Sequence, residues 1–185
     1  MTATEAAGAL DAGTADRMQV PLHKYFATTV ALITSHAADR GSNVMACEWT
    51  MNVSYQPLRI LSMIERGVYT HELITASGQF GVNLCAAGQA GLSHLAGSIS
   101  GRDGAKLAAP EFDGRTYPAR RISVPMLRGC VLNAECVVEQ TVEIGTHTGF
   151  VGRAVATHVY PGLRPLIYHQ GRYFELGGLV AKPSS

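Results

Sequence analysis

Strand-like runs recur along most of this chain and predict a mainly β protein. Residues 28–35 read TTVALITS, a β-branched stretch that is typical of a strand. Residues 43–53 predict a second strand, and Gln56-Pro57 separates it from a third strand at residues 58–64. Residues 131–140 alternate apolar and polar side chains, and this period of two indicates a strand with one buried face.

Further elements fill the spaces between these strands. Strands are also predicted at residues 79–84, 150–159, 166–169 and 172–176, the last two forming a hairpin. Helices are predicted at residues 69–77, 88–97 and 102–108, a turn at 143–145 and a loop over 110–125. Thr70 is the expected N-cap of the first helix, and Gly78 is its expected stop. Because no βαβ alternation occurs, we expect a β-barrel with helical excursions rather than a doubly wound fold.

Composition narrows the class of protein. The chain has 185 residues with 46% hydrophobic content, which suits one packed domain, expected over residues 21–180, after a disordered tail over residues 1–20. Lys plus Arg number 15 and Asp plus Glu 14, without a basic stripe, so we expect neither nucleic-acid nor membrane binding. The chain start lacks the basic and apolar parts of a secretory signal, so we expect a cytoplasmic protein.

The four cysteines are expected to be reduced and buried. Cys47, Cys85, Cys130 and Cys136 form no C-x-x-C pair, which argues against a zinc site or a thioredoxin-like motif. A disulfide between Cys130 and Cys136 is rejected, because six residues of extended chain separate them by roughly 20 Å.

Several common catalytic motifs do not occur in the sequence. No G-x-G-x-x-G follows a strand, and no G-x-x-x-x-G-K-[ST] is present, which excludes a Rossmann dinucleotide site and a P-loop. Ile99 stands where a nucleophile elbow needs serine. His71-Glu72 lacks the second histidine of a zincin, and the histidines show no metal-ligand spacing, so we expect no metal site.

The most informative segment is residues 43–50, which read NVMACEWT. An open strand rim offers backbone N–H and C=O groups beside small or flat side chains. Such a rim suits a flavin, whose isoalloxazine ring is edged with nitrogen and oxygen atoms. The alternative is an ordinary half-buried strand in which Trp49 anchors the core.

A phosphate tail would suit the segment that follows. Arg66, Thr70 and His71 lie next to a predicted helix start, where backbone N–H groups and the helix dipole attract phosphate. The alternative is simple capping by Thr70 with Arg66 on the surface. Ser100-Gly101-Arg102-Asp103 is also polar and helix-initiating, with capping as its alternative.

His147 is the candidate for a polar group near the reacting atoms. It lies in a Gly-Thr-His-Thr-Gly stretch between two strands. A histidine at a barrel rim can donate to an anionic reduced flavin or hold a nicotinamide amide. The alternative is a solvated histidine in a turn.

Taken in order, these segments resemble the flavin reductase-like, FMN-binding split-barrel family, including its flavoredoxin-like members. The resemblance covers about residues 22–177. The matching segments are VALITS (30–35), NVMA (43–46), WT (49–50), VS (53–54), YTHELI (69–74), FGVN (80–83), SGRDGAKL (100–107), GTH (145–147), FVGRAV (150–155), PLIY (165–168) and GRY (171–173).

The resemblance implies a homodimeric split barrel with FMN near the subunit interface. It implies NAD(P)H as reductant, FAD as a further flavin substrate, an oxygenase component as partner, and His147 as the catalytic residue. The implied cofactor-binding residues are Asn43, Val44, Met45, Ala46, Cys47, Trp49, Thr50, Arg66, Thr70, His71, Phe80, Asn83, Ser100 and Arg102. Within that set, residues 43–50 would line the ring and ribityl chain, and Arg66, Thr70 and His71 would lie near the phosphate.

The chain departs from the family pattern at a few positions. Thr146 stands where members often have Asp before the histidine, and Ala105 replaces an acidic residue before the lysine. Cys47 and Glu48 occupy positions where small or hydroxylated residues are common. The expected function is an NAD(P)H:flavin oxidoreductase that moves a hydride to flavin. The alternatives are a flavoredoxin-type FMN electron carrier and a split-barrel binding module for another planar ligand.

Overall fold

The computed structural model describes residues 21–181, which fold mainly as β-strands. The strands are β1 (Thr28–Thr29), β2 (Ala31–Ala37), β3 (Gly41–Cys47), β4 (Thr50–Tyr55), β5 (Leu58–Glu65), β6 (Gln79–Leu84), β7 (Thr116–Pro118), β8 (Pro125–Leu127), β9 (Leu132–Ile144), β10 (His147–Val159), β11 (Leu166–His169) and β12 (Arg172–Glu175). The α-helices are α1 (Tyr69–Ser77) and α2 (Ala90–Ser98), and short 3-10 turns cover Leu22–Tyr25, Ala87–Gln89, Lys106–Ala108 and Pro110–Phe112. The predicted tail over residues 1–20 lies outside the described residues.

Seven strands form an antiparallel sheet that curls into a barrel. Their order is β3-β2-β6-β9-β10-β5-β4, so β3 and β4 occupy the two edges. Only Glu48 and Trp49 connect these edge strands along the chain, and the sheet must therefore curl until its edges meet. The Trp49 carbonyl accepts a 2.9 Å hydrogen bond from the backbone N–H of Met63 at this junction. The mainly β prediction is confirmed, and the opening of the barrel lies beside residues 48 and 49.

The sheet is apolar on both faces, and each face packs against its own hydrophobic cluster. Ala31 and Ile33 of β2 belong to one cluster, while Val30 and Leu32 belong to the other, as the period of two in a strand requires. Helix α1 contributes Ile74 to the first cluster. Helix α2 contributes to the second, so the two helices cover different faces of the sheet. The smaller sheet β1-β11-β12 brings the C-terminal hairpin against this second cluster.

Several predicted boundaries were wrong. The strand predicted at residues 43–53 is two strands, because the chain crosses from one sheet edge to the other at Glu48. Helix α1 has Val68 rather than Thr70 as its N-cap, and the buried Thr70 hydroxyl instead accepts a hydrogen bond from Asn43. Gly78 does end the helix, with a φ of 65° that favours glycine.

Three elements predicted between residues 102 and 145 also differ from the structure. The helix predicted at residues 102–108 is reduced to the 3-10 turn Lys106–Ala108, since Gly101 and Gly104 weaken a helix there. The loop predicted at residues 110–125 contains a 3-10 turn and strand β7. The turn predicted at residues 143–145 lies later, because β9 runs on to Ile144 and β10 begins at His147.

The cysteine prediction is confirmed, since all four thiols are free and buried. Burial raises the pKa of Cys130 to about 11 and the pKa of Cys136 to about 12. It also raises the pKa of Cys47 and Cys85.

Within residues 21–181, no helix combines the length and apolar character that crossing a membrane demands. The same residues contain no group of three or more side chains that could hold a metal ion.

Candidate active site

A cavity of about 620 Å³ opens at the β3–β4 junction, and we call it the junction cavity. Strand β3 contributes Met45, Ala46 and Cys47, and the crossing between the sheet edges contributes Trp49. These side chains reach the cavity because the edge strand β3 ends here and leaves its rim uncovered. The structure therefore brings five residues of the informative segment, Met45 to Trp49, to one opening, together with His147 from the start of β10.

Trp49 and His147 form an aromatic pair beside this opening. Their ring centroids are 4.8 Å apart, with an angle of 42° between the planes. The Thr146 hydroxyl lies 2.9 Å from Nδ1 of His147. Among the described residues, Nε2 of His147 has no hydrogen-bond partner, so this nitrogen can face a ligand.

Sequence reasoning missed several residues that line the junction cavity. His94 and Ser93 come from α2, and Tyr168 and Tyr173 come from the C-terminal hairpin. The Ser93 hydroxyl lies 3.0 Å from the Tyr173 hydroxyl, and the two tyrosine rings are 5.4 Å apart. No local pattern could have identified these residues, because the hairpin is about eighty positions from α2 in sequence. Glu48 also lines the cavity, and burial raises the pKa of its carboxyl group.

A second cavity of about 340 Å³, which we call the helix cavity, continues from the first. The two share Met45, Ala46, Val68, Gly97 and Ser98 as lining residues, so they form one continuous groove.

Besides the shared Met45 and Ala46, four predicted site residues meet in the helix cavity, and they are Asn43, Thr70, Ser100 and Arg102. Asn43 donates to the Thr70 hydroxyl at 2.8 Å, which joins β3 to the first turn of α1. Gly101 lies against this pair, since a Cβ there would be 2.4 Å from the side-chain amide oxygen Oδ1 of Asn43.

Lys106 is the most informative residue that sequence reasoning overlooked. It lines the helix cavity and is only 6% exposed. Its Nζ donates to the Ala96 carbonyl at 2.8 Å, and no acidic partner lies near it among the described residues. Burial lowers the pKa of Lys106 to about 8, because the ammonium ion loses hydration. The available signal was a single lysine between small and apolar residues in the stretch 104–109.

Arg102 reaches the same cavity but is already paired. Its Nη2 donates to Glu72 Oε1 at 2.6 Å and to the Gly67 carbonyl at 3.0 Å, and its Nη1 donates to Glu72 Oε2 at 3.1 Å. The guanidinium also lies 5.5 Å from the centre of the Tyr69 ring. The Arg102 hydrogen bond holds the pKa of the Glu72 carboxyl below its usual range.

Arg66 and His71 line neither cavity, although the sequence placed them beside a phosphate. Arg66 donates to Glu143 at 2.7 Å and to the Gly145 carbonyl. The Thr148 hydroxyl donates to Glu143 at 2.7 Å, so the His71 Nε2 at 2.9 Å must carry the proton that Thr148 accepts. These contacts brace the turn that precedes His147.

Val44, Thr50, Phe80 and Asn83 also lie outside both cavities. Val44 and Phe80 are fully buried core residues, and the Thr50 hydroxyl pairs with Ser62 at 3.2 Å. Asn83 donates to the Leu32 carbonyl at 2.9 Å and joins strands beneath the site. Their cofactor roles stay predictions, and any effect they have on a ligand must pass through the strands that they support.

The continuous groove can accept a ligand with two different ends. Met45, Ala46 and Trp49 give the junction cavity apolar and flat surfaces, while Lys106 and Arg102 give the helix cavity positive charge. A volume of several hundred Å³ is typical of cofactor sites. The arrangement therefore fits a planar ring at one end and an anionic group such as phosphate at the other.

Comparisons with known proteins agree with this geometry. A family model described as "Flavin reductase like domain" matches residues 22–177. An uncharacterized protein from Archaeoglobus fulgidus is 32% identical over 117 residues, which cover 63% of this chain and 65% of that protein, slightly less than two thirds. The chain is also 28% identical to the NADH-dependent flavin reductase StyB from Pseudomonas fluorescens, over 80% of this chain and 82% of that protein.

Two further comparisons bear on fold and on partners. The NADH:FAD oxidoreductase SgcE6 from Streptomyces globisporus superposes with a TM-score of 0.79, covering 94% of this chain and 100% of that chain at 22% identity, which shows a shared fold. A protein from Rhizobium sp., named as the reductase component of an FADH2-dependent resorcinol hydroxylase, is 26% identical over 80% of each chain. The predicted split-barrel fold is confirmed. The chain belongs to the flavin reductase like domain family.

Proposed function

We propose that this protein is an NAD(P)H:flavin oxidoreductase that supplies reduced flavin to a partner oxygenase. The observation that carries this proposal is the continuous groove, in which a flat apolar cavity leads to a buried ammonium group that has no acidic partner within residues 21–181. Lys106 has two N–H donors left after its bond to Ala96, and they can serve a phosphate. Relatives named as NADH-dependent flavin reductase and as a hydroxylase reductase component support the same reaction class.

We assign the flavin ring to the junction cavity and the flavin phosphate to the helix cavity. Met45, Ala46, Cys47 and Trp49 would hold the isoalloxazine ring in the junction cavity. The phosphate would lie in the helix cavity, bound by the groups that converge there. These groups are Lys106, Arg102, Thr70, Asn43 and Ser100. This assignment replaces Arg66 and His71 by Lys106 as the principal phosphate ligand, because among the residues that the structure describes only Lys106 combines burial with an uncompensated charge.

The protein's contribution to hydride transfer is binding and orientation. When bound, flavin accepts a hydride from NAD(P)H and carries it to the next acceptor. The Trp49–His147 pair would pack against a planar ring, and Nε2 of His147 would donate a hydrogen bond where negative charge develops. For Nε2 to donate in the neutral imidazole, Nδ1 must accept, and the Thr146 hydroxyl is placed to donate to it. Thr146 thus takes over the orienting role that an aspartate would have.

We also propose that the protein is a homodimer and that it is cytoplasmic. The support for a dimer is strand β4, an edge strand on which Met51, Val53 and Tyr55 are 56%, 47% and 89% exposed. A β-bulge between Asn52 and Ser54 interrupts the alternation of this strand, but all three side chains are exposed apolar groups on a sheet edge that a second copy could cover. Sedimentation equilibrium should give twice the chain mass, and a monomer at micromolar concentration would contradict this part.

The reaction is tested with purified protein and NADH. Without oxygen, NADH should bleach the visible band of bound FMN. With excess free FMN in air, NADH oxidation should continue for many turnovers. Tight FMN without NADH or NADPH turnover would instead indicate an electron carrier of the flavoredoxin type. Protein that ignores added FMN in a titration would refute the flavin assignment and favour another planar ligand.

A further inference from the structure

The charges around the helix cavity are not all available to a ligand. Arg102 and Lys106 both line it, but Arg102 forms a two-pronged ion pair with Glu72. Three of its five N–H donors are in use, two by Glu72 and one by the Gly67 carbonyl. Arg102 keeps two donors for a ligand, but its charge is largely compensated by the carboxylate.

Glu72 is held at this position by more than one cation. Its Oε2 also lies 4.0 Å from Nη1 of Arg40, and the carboxylate is 38% exposed. Helix α1 fixes the backbone beside Thr70, which itself lines the cavity. The carboxylate does not line the cavity itself, and it is held against the guanidinium of Arg102, which does.

We propose that Glu72 weakens binding of the flavin phosphate by compensating the positive charge of Arg102, so that flavin binds and dissociates as an exchangeable substrate. This rests on the proposed function. With Glu72 ionised, Lys106 is the one lining cation among the described residues whose charge is not compensated. Phosphate binding that depends mainly on one uncompensated charge favours rapid exchange, which a reductase that supplies free reduced flavin requires.

The test compares FMN with riboflavin, which has the same ring but no phosphate. Dissociation constants are measured by quenching of flavin fluorescence for the full chain and for Glu72→Gln at low salt. Glu72→Gln should bind FMN about two- to fivefold more tightly, the range expected for one exposed charge interaction, with riboflavin affinity unchanged. The gain should shrink at high salt, because ions screen exposed charges. Stopped-flow release of FMN should be slower by the same factor.

Two further variants separate the mechanism from general charge effects. When Arg102→Met is already present, adding Glu72→Gln should not increase the affinity for FMN, because the carboxylate acts through Arg102. The matched control is Glu139→Gln, which breaks ion pairs with Arg59 at 2.8 Å and Arg153 at 2.6 Å, outside both cavities. This control should leave FMN affinity unchanged.

Any other result would contradict either the inference about Glu72 or the proposed function. Unchanged or weaker FMN binding by Glu72→Gln would overturn the inference while leaving the proposed function intact. A gain that persists without Arg102, or that appears equally in Glu139→Gln, would overturn it as well. Wild-type protein that binds neither flavin would overturn the proposed function and this inference together.

Discussion

Replacing Lys106 by methionine should selectively weaken binding of the flavin phosphate. Methionine keeps the length and apolar stem of lysine, and the side chain is only 6% exposed, so packing should be retained. The lost interaction is a charge-assisted hydrogen bond in a sheltered site, worth about 1.5–3 kcal/mol. FMN should therefore bind about 10- to 150-fold more weakly to Lys106→Met, while riboflavin affinity should change less than twofold.

The same residue predicts a pH dependence. Because burial lowers the pKa of Lys106 to about 8, the ammonium is charged below that pH and loses its proton as the pH rises through it. Wild-type affinity for FMN should accordingly fall between about pH 8 and pH 9.5, a range in which the flavin phosphate remains doubly ionised. Bound phosphate favours the charged amine, so the midpoint in the complex should lie above that in the free protein. Lys106→Met should show no such fall.

Fluorescence titrations with FMN and riboflavin at several pH values measure both effects. Arg121→Met is a suitable control, since it removes an exposed positive charge that lines neither cavity. Equal losses for FMN and riboflavin would mean that Lys106 supports the cavity wall rather than the phosphate. Unchanged FMN affinity would refute the placement of the phosphate in the helix cavity.

Three further substitutions test the site and its support. His147→Ala should lower kcat/KM for NADH about tenfold through loss of one hydrogen bond to the developing charge, and unchanged reductase kinetics would remove His147 from the mechanism. Asn83→Ala should lower the free energy of unfolding in urea by about 3 kcal/mol, because it leaves the Leu127 N–H, which donates to Asn83 at 2.9 Å, without a partner; a loss below 1 kcal/mol would contradict this. Gly152→Ala should cost about 1–3 kcal/mol in the same assay, since a Cβ there would lie 2.6 Å from the Phe80 ring, and wild-type stability would show that the ring can move aside.

Strands were predictable where the local pattern alone decides the structure. The alternation in residues 131–140 identified β9, but both faces are buried over residues 133–136. Asn133 donates to Asn83, and the Glu135 carboxylate accepts from the backbone N–H groups of Arg120 and Arg121. The end of β9 was missed because pairing with β10 carries the hairpin past the apolar segment to Ile144. The break at Glu48 was missed for a related reason. Closure of the barrel, rather than any local signal, forces the chain to change sheet edges there.

The site was predictable only in part. Residues 45–49 reach the junction cavity as expected, because the informative segment is continuous in sequence and ends at the barrel opening. Tyr173 and His94 could not be expected, since they meet through the docking of the C-terminal hairpin on α2. Arg66 lines neither cavity, because nearness to a helix start does not fix the direction of a long side chain, and its phosphate role stays a prediction. The carboxylate of Glu143 and the carbonyl of Gly145 bind its guanidinium instead.

The contrast between the cations explains why Lys106 is the best single indicator of the site. Arg66 and Arg102 each have a glutamate partner, so their presence is explained by structure alone. Lys106 has no such partner among the described residues, and its burial opposes the charge that it carries. A buried ammonium group destabilises a folded protein unless something else compensates it. An apolar residue of similar length would fill the same space, so the charge of Lys106 is best explained by an anionic ligand in the helix cavity.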